Sequence, residues 1–351
     1  MTDRIHSTTH SGFCGWDIGG AHLKVARCDD KGQLRQVLQY PCALWRGIGE
    51  LGKSLQQAIQ ALGCEDDMHA ITMTGELVDA FDNRQQGVTE ILDCVTSLLP
   101  DMACRIFAGR QGWLSSQAAR QHWQAVASMN WQASAMFAAS QHENGLFIDI
   151  GSTTCDIVPF SQHRITPCGD NDHDRQRQGS LVYTGAVRTP LMALADEAPL
   201  HGYKVPLTAE WFAISGDIWL LLDKLAPSEI LDDSTDGKPW DKHHSRQRIA
   251  RMLATDADEA SAWQWQQVAE WFAQKQLHAI TEACLQVMTA VPLQPDSPVI
   301  GAGIGRFIVA DCARRLQRPY LDFSQLCQNM KPAADHAPAA ALALLAQQQL
   351  S

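Results

Sequence analysis

The stretch Leu146-Phe-Ile-Asp149-Ile-Gly151-Ser-Thr-Thr-Cys-Asp156-Ile-Val158 decides how the rest of this chain is interpreted. Apolar residues surround a single carboxylate, a Gly-Ser-Thr-Thr turn follows, and a second apolar run comes after the turn. This pattern predicts a buried strand, a tight turn and a return strand, with Asp149 at the turn. Burying an unpaired carboxylate costs several kcal/mol, so we expect a metal ion or a positively charged side chain to meet Asp149.

The turn itself has the composition of an anion site. Gly151 leaves the backbone unhindered, and Ser152, Thr153 and Thr154 add hydroxyl donors to their backbone N–H groups. Consecutive N–H and O–H donors of this kind suit phosphate oxygens. The sequence therefore predicts a phosphate loop at residues 151–154.

The same pattern occurs near the start, in Gly15-Trp-Asp17-Ile-Gly19-Gly20-Ala-His-Leu-Lys24-Val-Ala26. A single Asp-x-Gly hairpin is weak support for a site, because an ordinary β-turn uses the same residues. Two such hairpins, with their carboxylates 132 residues apart, indicate an internal duplication. We therefore expect Asp17 and Asp149 to serve one phosphate and metal site.

A third glycine-rich loop lies in Pro298-Val-Ile-Gly301-Ala-Gly303-Ile-Gly305-Arg-Phe307. A strand that runs through such a loop into a helix N-terminus forms a cradle for an anion or a nucleotide. A dinucleotide-binding fold is the alternative, with Asp322 placed to bind a ribose. Too little chain follows for the remaining strands and helices of that fold, which favours a third loop of the site begun by the other two.

Composition excludes several classes of protein. The chain has 351 residues, enough for two domains, and its 45% hydrophobic and 19% charged residues are typical of a soluble globular protein. A formal net charge of −11 argues against a non-specific nucleic-acid binder. No apolar run approaches the roughly 20 residues of a membrane span, and residues 1–11 resemble a polar tail.

The eleven cysteines are scattered and form no Cys-x-x-Cys pair. This spacing argues against a zinc ribbon and against a disulfide framework. Reduced thiols packed as small hydrophobic side chains are the favoured interpretation, and we predict a cytoplasmic protein.

Helical spacing predicts the main helices at residues 48–62, 87–99, 116–139 with a break at 128–131, 210–225, 246–253, 263–288 and 333–350. Residues 226–245 are polar and predict a surface loop. Asp170, Asp172, His173 and Asp174 admit a metal site, although a solvated acidic loop is the more common outcome. Arg188 is a candidate anion clamp, because guanidinium binds phosphate through two hydrogen bonds.

Together, the Asp17, Asp149 and Gly301 loops resemble the two phosphate loops and the adenosine loop of the actin-like ATPase superfamily. Further motifs resemble the hydantoinase/oxoprolinase-related proteins of tetrahydromethanopterin-linked one-carbon transfer. These motifs are Thr74-Gly-Glu-Leu-Val-Asp79, Ser128-Met-Asn-Trp131, Asp172-x-x-Arg175, Leu181-Val-Tyr-Thr-Gly185 and Arg188-Thr-Pro. The resemblance spans about Gly15 to Phe307.

The resemblance implies an α/β, two-domain actin-like (ribonuclease H-like) fold with duplicated βββαβαβα units. Residues 1–145 would form the first domain and residues 146–334 the second, with the phosphate hairpins facing each other across a cleft. A C-terminal helix at 335–351 would pack back on the first domain.

The resemblance also implies a reaction and its residues. The family includes a methanofuran-biosynthesis transferase that joins an aminomethylfuran-methyl diphosphate to γ-glutamyltyramine and releases diphosphate. Asp17 and Asp149 would hold Mg²⁺. Lys24 would neutralise charge, and Glu76 would accept the phenol proton. The residues that would bind diphosphate are Gly19, Gly20, Gly151, Ser152, Thr153 and Thr154. The residues that would position substrate are Asn130, Asp172, Arg175, Tyr183 and Arg188, with Gly301, Gly303 and Gly305 in the nucleotide loop.

Two other function classes stay open on the sequence. The same three loops would serve an ATP-dependent kinase or amidohydrolase, in which Asp156 is a candidate catalytic residue. They would also serve a nucleotide-binding protein without chemistry. Mg²⁺ is the expected cofactor, with ATP left open. A small phosphorylated molecule is the expected ligand, with no nucleic acid and no membrane, and a homo-oligomer is left open.

Overall fold

The computed structural model describes residues 11–169 and 171–351, so the predicted polar tail and Asp170 lie largely or wholly outside the described residues. The chain divides into two compact units. The first comprises residues 1–142, 163–165 and 323–351, and the second comprises residues 143–162 and 166–322. The sequence prediction placed the division near 145 and the end of the second domain at 334, whereas the second unit of the structure ends at Asp322.

The strands of the described residues are β1 (Gly12–Ile18), β2 (His22–Asp29), β3 (Leu34–Pro41), β4 (Met68–Met73), β5 (Cys104–Phe107), β6 (Trp113–Leu114), β7 (Gly145–Ile150), β8 (Cys155–Ser161), β9 (Arg164–Ile165), β10 (Leu181–Val182), β11 (Glu197–Leu200), β12 (Tyr203–Pro206), β13 (Val299–Ala302) and β14 (Tyr320–Asp322). The helices of the described residues are α1 (Gly49–Leu62), α2 (Arg84–Leu98), α3 (Ser116–Gln121), α4 (Trp123–Val126), α5 (Asn130–Gln141), α6 (Asp172–Gln178), α7 (Ser215–Leu221), α8 (Lys242–Met252), α9 (Ala262–Met288), α10 (Arg306–Arg315), α11 (Phe323–Leu326), α12 (Lys331–Asp335) and α13 (Ala337–Leu350).

Each unit is built around one sheet, and the two sheets share a strand order. The first sheet runs β3-β2-β1-β4-β5-β6 and the second runs β10-β8-β7-β13-β14. In both, an antiparallel hairpin (β1–β2 or β7–β8) is followed by a parallel crossover to the next strand (β4 or β13). This repeat of order and direction is the duplication that the two Asp-x-Gly hairpins predicted.

The core of each unit follows from the alternation of side chains along its strands. In β7 and β8 the residues Leu146, Ile148 and Ile150, with Cys155 and Ile157, enter a buried cluster with α7, α9 and α10. Asp149 and Asp156 consequently lie on the opposite face of the hairpin, away from that cluster. The sheet alternation therefore fixes where the candidate carboxylates lie.

The C-terminal helix α13 packs on the first sheet. A side chain at Gly15, in the middle of β1, would collide with the backbone at Ala339 and Ala343 of that helix. Residues 339–346 of α13 are almost completely buried. Glycine at position 15 is required because the backbones of the helix and the strand approach too closely for a Cβ atom.

The predicted helix at 210–225 is shorter in the structure, where only Ser215–Leu221 is helical. Ile214 has extended backbone angles and forms a bridge with Pro190, and Leu191 N–H donates to the Ala213 carbonyl. The Asp217 carboxylate accepts from the Ile214 N–H at 3.1 Å, so the helix begins after Ile214.

The predicted break in residues 116–139 is confirmed, because Ser128 has a positive φ of 56° and separates α4 from α5. The eleven cysteines all lie in the described residues, none of them is assigned to a disulfide, and ten are buried. Among the described residues, no helix has the length and apolar content needed to cross a bilayer.

Candidate active site

Asp17 and Asp149 occupy equivalent positions in the two sheets. Each is the second-to-last residue of the strand that opens its hairpin, β1 or β7. The residue seven positions later lies directly opposite on the return strand. That opposite residue is Lys24 for Asp17 and Asp156 for Asp149, so one slot holds charges of opposite sign in the two units.

Asp17 is buried, with a side chain that is 1% exposed. Lys24 Nζ donates to Asp17 Oδ2 at 3.2 Å, and Asn130 Nδ2 donates to Asp17 Oδ1 at 3.4 Å. The expected positive partner of a buried carboxylate is therefore Lys24 in this unit. The predicted substrate residue Asn130, at the start of α5, lies beside the same carboxylate.

The first loop presents backbone donors. The carbonyls of Gly20 and Ala21 accept hydrogen bonds from the N–H groups of Leu44 and Cys42. The N–H groups of Gly20 and Ala21 have no backbone acceptor among the described residues. A Cβ atom at Gly20 would lie 2.7 Å from Val78 Cγ1, so a larger residue there would require Val78 to shift. Carbonyls fixed behind a turn and N–H groups left in front of it are the features of an anion nest.

Glu76 was predicted to accept a proton from substrate, and its placement argues against this role. The residue is 2% exposed, and Ser128 Oγ donates to its Oε1 at 2.7 Å. Gly87 of α2 lies so close that a Cβ atom there would be 2.9 Å from the Glu76 Cβ. A carboxylate enclosed in this way has little access to the phenol of a substrate. We therefore infer that Glu76 stabilises the turn at Ser128.

One turn therefore binds two buried carboxylates of this unit, those of Asp17 and Glu76. Ser128 donates to Glu76, and Asn130, two residues later, donates to Asp17. The positive φ of Ser128 brings the two donors to their separate acceptors. The motif is visible in the sequence, but no role was predicted for Ser128. Its signal is the polar Ser-x-Asn inside an alanine-rich helical pattern.

In the second unit, Asp149 lies opposite another carboxylate, Asp156. Like charges that face each other across two strands are destabilising, and they require a cation nearby. Arg175 supplies it, donating to Asp156 Oδ1 at 2.7 Å and to the Ser180 carbonyl at 3.0 Å. We expected a positive side chain or a metal beside Asp149. Arg175 provides a positive charge to this pair of carboxylates by binding Asp156.

This placement corrects the predicted role of Arg175. Its side chain is only 3% exposed and lies inside the second unit. Direct contact with a substrate would require its removal from Asp156. We therefore assign Arg175 to balancing the two carboxylates rather than to binding substrate.

The second loop repeats the design of the first. Gly151 N–H donates to the Thr154 carbonyl at 3.0 Å and closes the turn. The carbonyl of Gly151 accepts from Ala186 N–H, and the carbonyl of Ser152 accepts from Val187 and Arg188 N–H. The N–H groups of Ser152 and Thr153 have no backbone acceptor in the part of the chain that the structure describes. Two separate turns with this arrangement support the predicted phosphate loops.

The segment that holds the second loop carries two further predicted residues. Tyr183 is 55% exposed, and Arg188 is exposed immediately after the backbone contacts with Ser152. Gly185 lies against the loop backbone, and a side chain there would collide with Ser152 and Thr153. Tyr183 and Arg188 are therefore accessible, and Arg188 is joined to the loop through its backbone N–H. Their role in binding a ligand stays a prediction.

The third glycine loop lies against Asp149 and the end of β7. Gly303 has a φ of +81°, and a side chain there would collide with Asp149 Oδ1 and the Ile150 carbonyl. Gly305 N–H donates to the Ile150 carbonyl at 2.9 Å. Gly301 lies in β13 beside Ile148 of β7. Arg306 then opens α10 and pairs with Asp322 at 3.0 Å. Asp322 is thus engaged by Arg306, not held for a ribose.

The sequence admitted a metal site in the acidic segment at 170–174, and the start of a helix explains two of its carboxylates. Asp172 is the first residue of α6, and Asn171 caps the helix by accepting from Asp174 N–H. Asp170 lies outside the described residues. Carboxylates in a first helical turn are favoured by the helix dipole, which accounts for Asp172 and Asp174 without a metal.

Cys155 is the thiol next to the second loop, where a nucleophile would be sought. Burial raises the pKa of its thiol well above the ordinary value, with Cys284, Cys312 and nearby carboxylates adding to the shift. A thiol with a raised pKa is a poor nucleophile because the reactive thiolate is scarce. Cys155 is a packing residue of the second core.

Comparison with known proteins places these features in a family. The hydantoinase/oxoprolinase family matches residues 67–349 of this chain. The chain belongs to the hydantoinase/oxoprolinase family. The resemblance drawn from the motifs is thereby confirmed.

Two curated relatives carry the same name, (4-{4-[2-(gamma-L-glutamylamino)ethyl]phenoxymethyl}furan-2-yl)methanamine synthase. The protein of Methanocaldococcus jannaschii is 30% identical over 245 residues, covering 70% of this chain and 72% of that protein. The protein of Methanococcus vannielii is 31% identical over 176 residues, covering 50% of this chain and 78% of that protein. Both relatives are named as enzymes.

Solved structures confirm the fold. A ROK family glucokinase from Streptomyces griseus, in complex with glucose and AMPPNP, matches with a TM-score of 0.50 at 13% identity, over 96% of this chain and 99% of that chain. A nucleotide-free acetone carboxylase matches with a TM-score of 0.57 at 11% identity, over 88% of this chain and 68% of that chain. The predicted actin-like fold is therefore correct, and at these identities the likeness concerns the fold alone.

Proposed function

We propose that this protein is a transferase that joins an aminomethylfuran-methyl diphosphate to γ-glutamyltyramine. The phenol oxygen would form a bond to the furanylmethyl carbon while the bond from that carbon to the diphosphate oxygen breaks. Diphosphate leaves with the electron pair, and the phenol proton passes to solvent. The product is the ether that the name of the two archaeal relatives describes.

The observation that carries this proposal is the pair of anion nests. Gly20 and Ala21 in one unit, and Ser152 and Thr153 in the other, present N–H groups without backbone acceptors among the described residues. Each nest directly follows a strand whose second-to-last residue is an aspartate. Donors preorganised for phosphoryl oxygens suit a reaction whose main demand is charge on a leaving group.

The site offers donors to a leaving group rather than a strong nucleophile. A phenol has an ordinary pKa of about 10, so it is a weak nucleophile at neutral pH. The Cys155 thiol is disfavoured by its raised pKa. Rate enhancement would then come from stabilising the departing diphosphate. Lys24 adds a positive charge beside Asp17, and the exposed guanidinium of Arg188 is suited to bind a phosphate oxygen pair.

The carboxylates present fit Mg²⁺, which takes few protein oxygens and keeps several waters. Asp149 is half-buried at the end of β7, just before the hydroxyl residues Ser152 and Thr153, and would hold the ion. Asp17 is already enclosed by Lys24 and Asn130 within its own unit. Bound Mg²⁺ would supply neutralisation of the diphosphate charge.

An ATP-dependent reaction is the second candidate, and the third glycine loop favours it. That loop leads into α10 and lies against Asp149, an arrangement suited to a nucleotide phosphate at a helix N-terminus. The Arg306–Asp322 pair at the start of α10 is less suited to it, because Asp322 is already paired.

The test is a reconstitution with purified full-length protein, Mg²⁺, the furanylmethyl diphosphate and γ-glutamyltyramine. We expect one ether product by mass spectrometry and one diphosphate released per ether formed. An otherwise identical reaction without the phenol should release no diphosphate.

Two results would redirect the assignment. Diphosphate release that does not depend on the phenol would indicate a hydrolase. ATP consumption with another acceptor, in the absence of any ether, would favour the kinase or amidohydrolase alternative.

Asp311→Asn, a substitution at a partly exposed residue of α10 that pairs with Arg314, provides the matched control for handling and purity.

A further inference from the structure

A buried glutamine of α9 is connected to the second anion loop. Gln276 is 0% exposed on the apolar face of the helix, between the buried residues Ala273 and Leu277. Its Nε2 donates to Thr184 Oγ1 at 2.8 Å and to the Gly185 carbonyl at 2.7 Å. Its Oε1 accepts from Trp219 Nε1 at 2.8 Å. Both polar atoms of this side chain are therefore engaged.

The bonds from Gln276 end on the segment that holds the loop. The Gly185 carbonyl also accepts from Ser215 Oγ at 2.8 Å, and Gly185 N–H donates to Thr189 Oγ1 at 2.8 Å. Gly185 has no room for a side chain because it lies against the backbone of Ser152 and Thr153. Its position is thus fixed on one side by buried donors and on the other by the loop.

The next three residues transmit this position to the loop. The N–H groups of Ala186, Val187 and Arg188 donate to the carbonyls of Gly151 and Ser152. With those carbonyls held behind the turn, the N–H groups of Ser152 and Thr153 remain directed to the other side of their peptide planes. The same segment fixes the backbone position from which the Arg188 side chain extends.

We propose that Gln276 is a positioning residue for the diphosphate site, acting through Gly185 on the Ser152 and Thr153 donors and on Arg188. Buried polar networks of this kind hold one geometry when every member is satisfied. The inference rests on the proposed function for its ligand, while the geometry of the clamp stands apart from it. Gln276 touches no reacting atom, so removing it should alter how the loop binds an anion.

The first test uses Gln276→Glu and measures binding of Mg·diphosphate by calorimetry across pH. An ionised glutamate can accept from Trp219 but cannot donate to Gly185, whereas a protonated glutamate regains one donor. We expect affinity at least tenfold below wild type at pH 8. The ratio of variant to wild-type affinity should recover as pH falls. Because burial can raise the pKa of a glutamate to about 8 or 9, Ser215→Ala is measured beside it, and affinity equal to wild type at every pH in both variants would overturn the proposal.

The second test follows amide hydrogen exchange in the full chain. In Gln276→Glu the amides of Ala186, Val187 and Arg188 should exchange faster, because their acceptor loop is no longer held. Gln286→Leu is the matched control, since Gln286 lies on the same helix and donates to the Arg177 carbonyl instead. Unchanged exchange at 186–188 would refute the clamp. Ser215→Ala, which removes another donor to Gly185, decides the case if Gln276→Glu does not fold.

The two proposals can fail separately. If wild-type protein binds no Mg·diphosphate, the proposed function is wrong and the exchange measurement alone judges the clamp. If wild-type protein binds it and both Gln276→Glu and Ser215→Ala bind equally well at every pH, the clamp is wrong and the proposed function stands.

Discussion

At the scale of single residues, the two units differ most in the residue opposite the aspartate. Lys24 faces Asp17 and forms an ion pair with it, so that carboxylate is already compensated. Asp149 faces a second carboxylate, Asp156, and Arg175 pairs with Asp156 at 2.7 Å. A carboxylate beside a like charge gains more from a bound cation than one beside a lysine. We therefore propose the metal role for Asp149 rather than for Asp17.

The corresponding prediction concerns Asp149→Asn. Turnover should fall by about 100-fold or more, as for other preorganised electrostatic groups. The melting temperature should not fall, because the substitution also removes a like charge opposite Asp156. Steady-state kinetics and thermal melts of the variant and of Asp311→Asn test both halves. Wild-type kcat with the true substrate would make Asp149 a structural residue.

At the scale of elements, the glycine loop after β13 is shaped by its contact with Asp149. Gly303 combines a positive φ with a lack of space, since a Cβ atom there would meet Asp149 Oδ1. Gly237 provides the matched case, because it has a φ of +69° and a Cβ atom there would have no neighbour within 4 Å. The pair separates backbone strain from displacement of the carboxylate.

We expect Gly303→Ala to lose most of its activity and to be destabilised by more than Gly237→Ala. Backbone strain at a left-handed position accounts for about 1 to 2 kcal/mol in either variant. Only Gly303→Ala also displaces Asp149 and the Ile150 carbonyl. Urea unfolding and Mg·diphosphate binding of the two variants measure the difference, and equal effects in both would show that contact with Asp149 is unimportant.

Helix α8 gives an element-scale prediction for pH. Asp241 caps the helix by accepting from the His244 N–H at 2.8 Å, and this bond lowers the pKa of the Asp241 carboxyl below its ordinary value. A lowered pKa in the folded state means that the unfolded chain binds the proton first as pH falls. The stabilisation is therefore present above the unfolded pKa, about 4, and is lost as pH falls through the folded pKa.

Asp241→Asn tests this sign, because asparagine keeps the cap without the charge. The free energy of unfolding should favour wild type at pH 7, by up to about 1 kcal/mol. The difference should be smaller at about pH 3, because the stabilisation is lost progressively as pH falls below the unfolded pKa of about 4 and through the lowered folded pKa. Chemical denaturation at the two pH values gives the comparison, and a constant difference would assign the effect to packing.

The limits of sequence reasoning are clearest at this scale. The two hairpins and the break at Ser128 were predicted because the turn residues that cause them are adjacent in sequence. The helix at 210–225 was overextended because residues 213 and 214 pair with 190 and 191 instead, which no local pattern reveals. The roles of Arg175, Glu76 and Gln276 depend on partners far along the chain, so their burial was not predictable from spacing.

At the scale of the whole molecule, the first unit is discontinuous. It takes residues 1–142, the short segment 163–165 and residues 323–351, whereas the second unit lies almost entirely within one stretch of chain. The last segment contributes α13, whose buried alanines and leucines cover the first sheet at Gly15. Because Gly15 has no side chain, the backbone of α13 can approach the backbone of β1 closely.

The last prediction follows from that coverage. A chain that stops after Asp322 removes α11–α13 and exposes the face of β1, so the first unit should fail to fold while β7 and β13 of the second unit remain protected. Amide hydrogen exchange should show loss of protection in β1, β2 and β4, whose residues the removed helix would bury.

A chain that stops after Ala346 is the control, because residues 347–351 are largely exposed. Its protection should match wild type except near Trp113, whose Nε1 donates to Gln349, and near Asp30, whose carbonyl accepts from Gln347. If the chain ending at Asp322 keeps full protection in β1, then the first sheet does not need the C-terminal helix, and Gly15 is not the contact that fixes it.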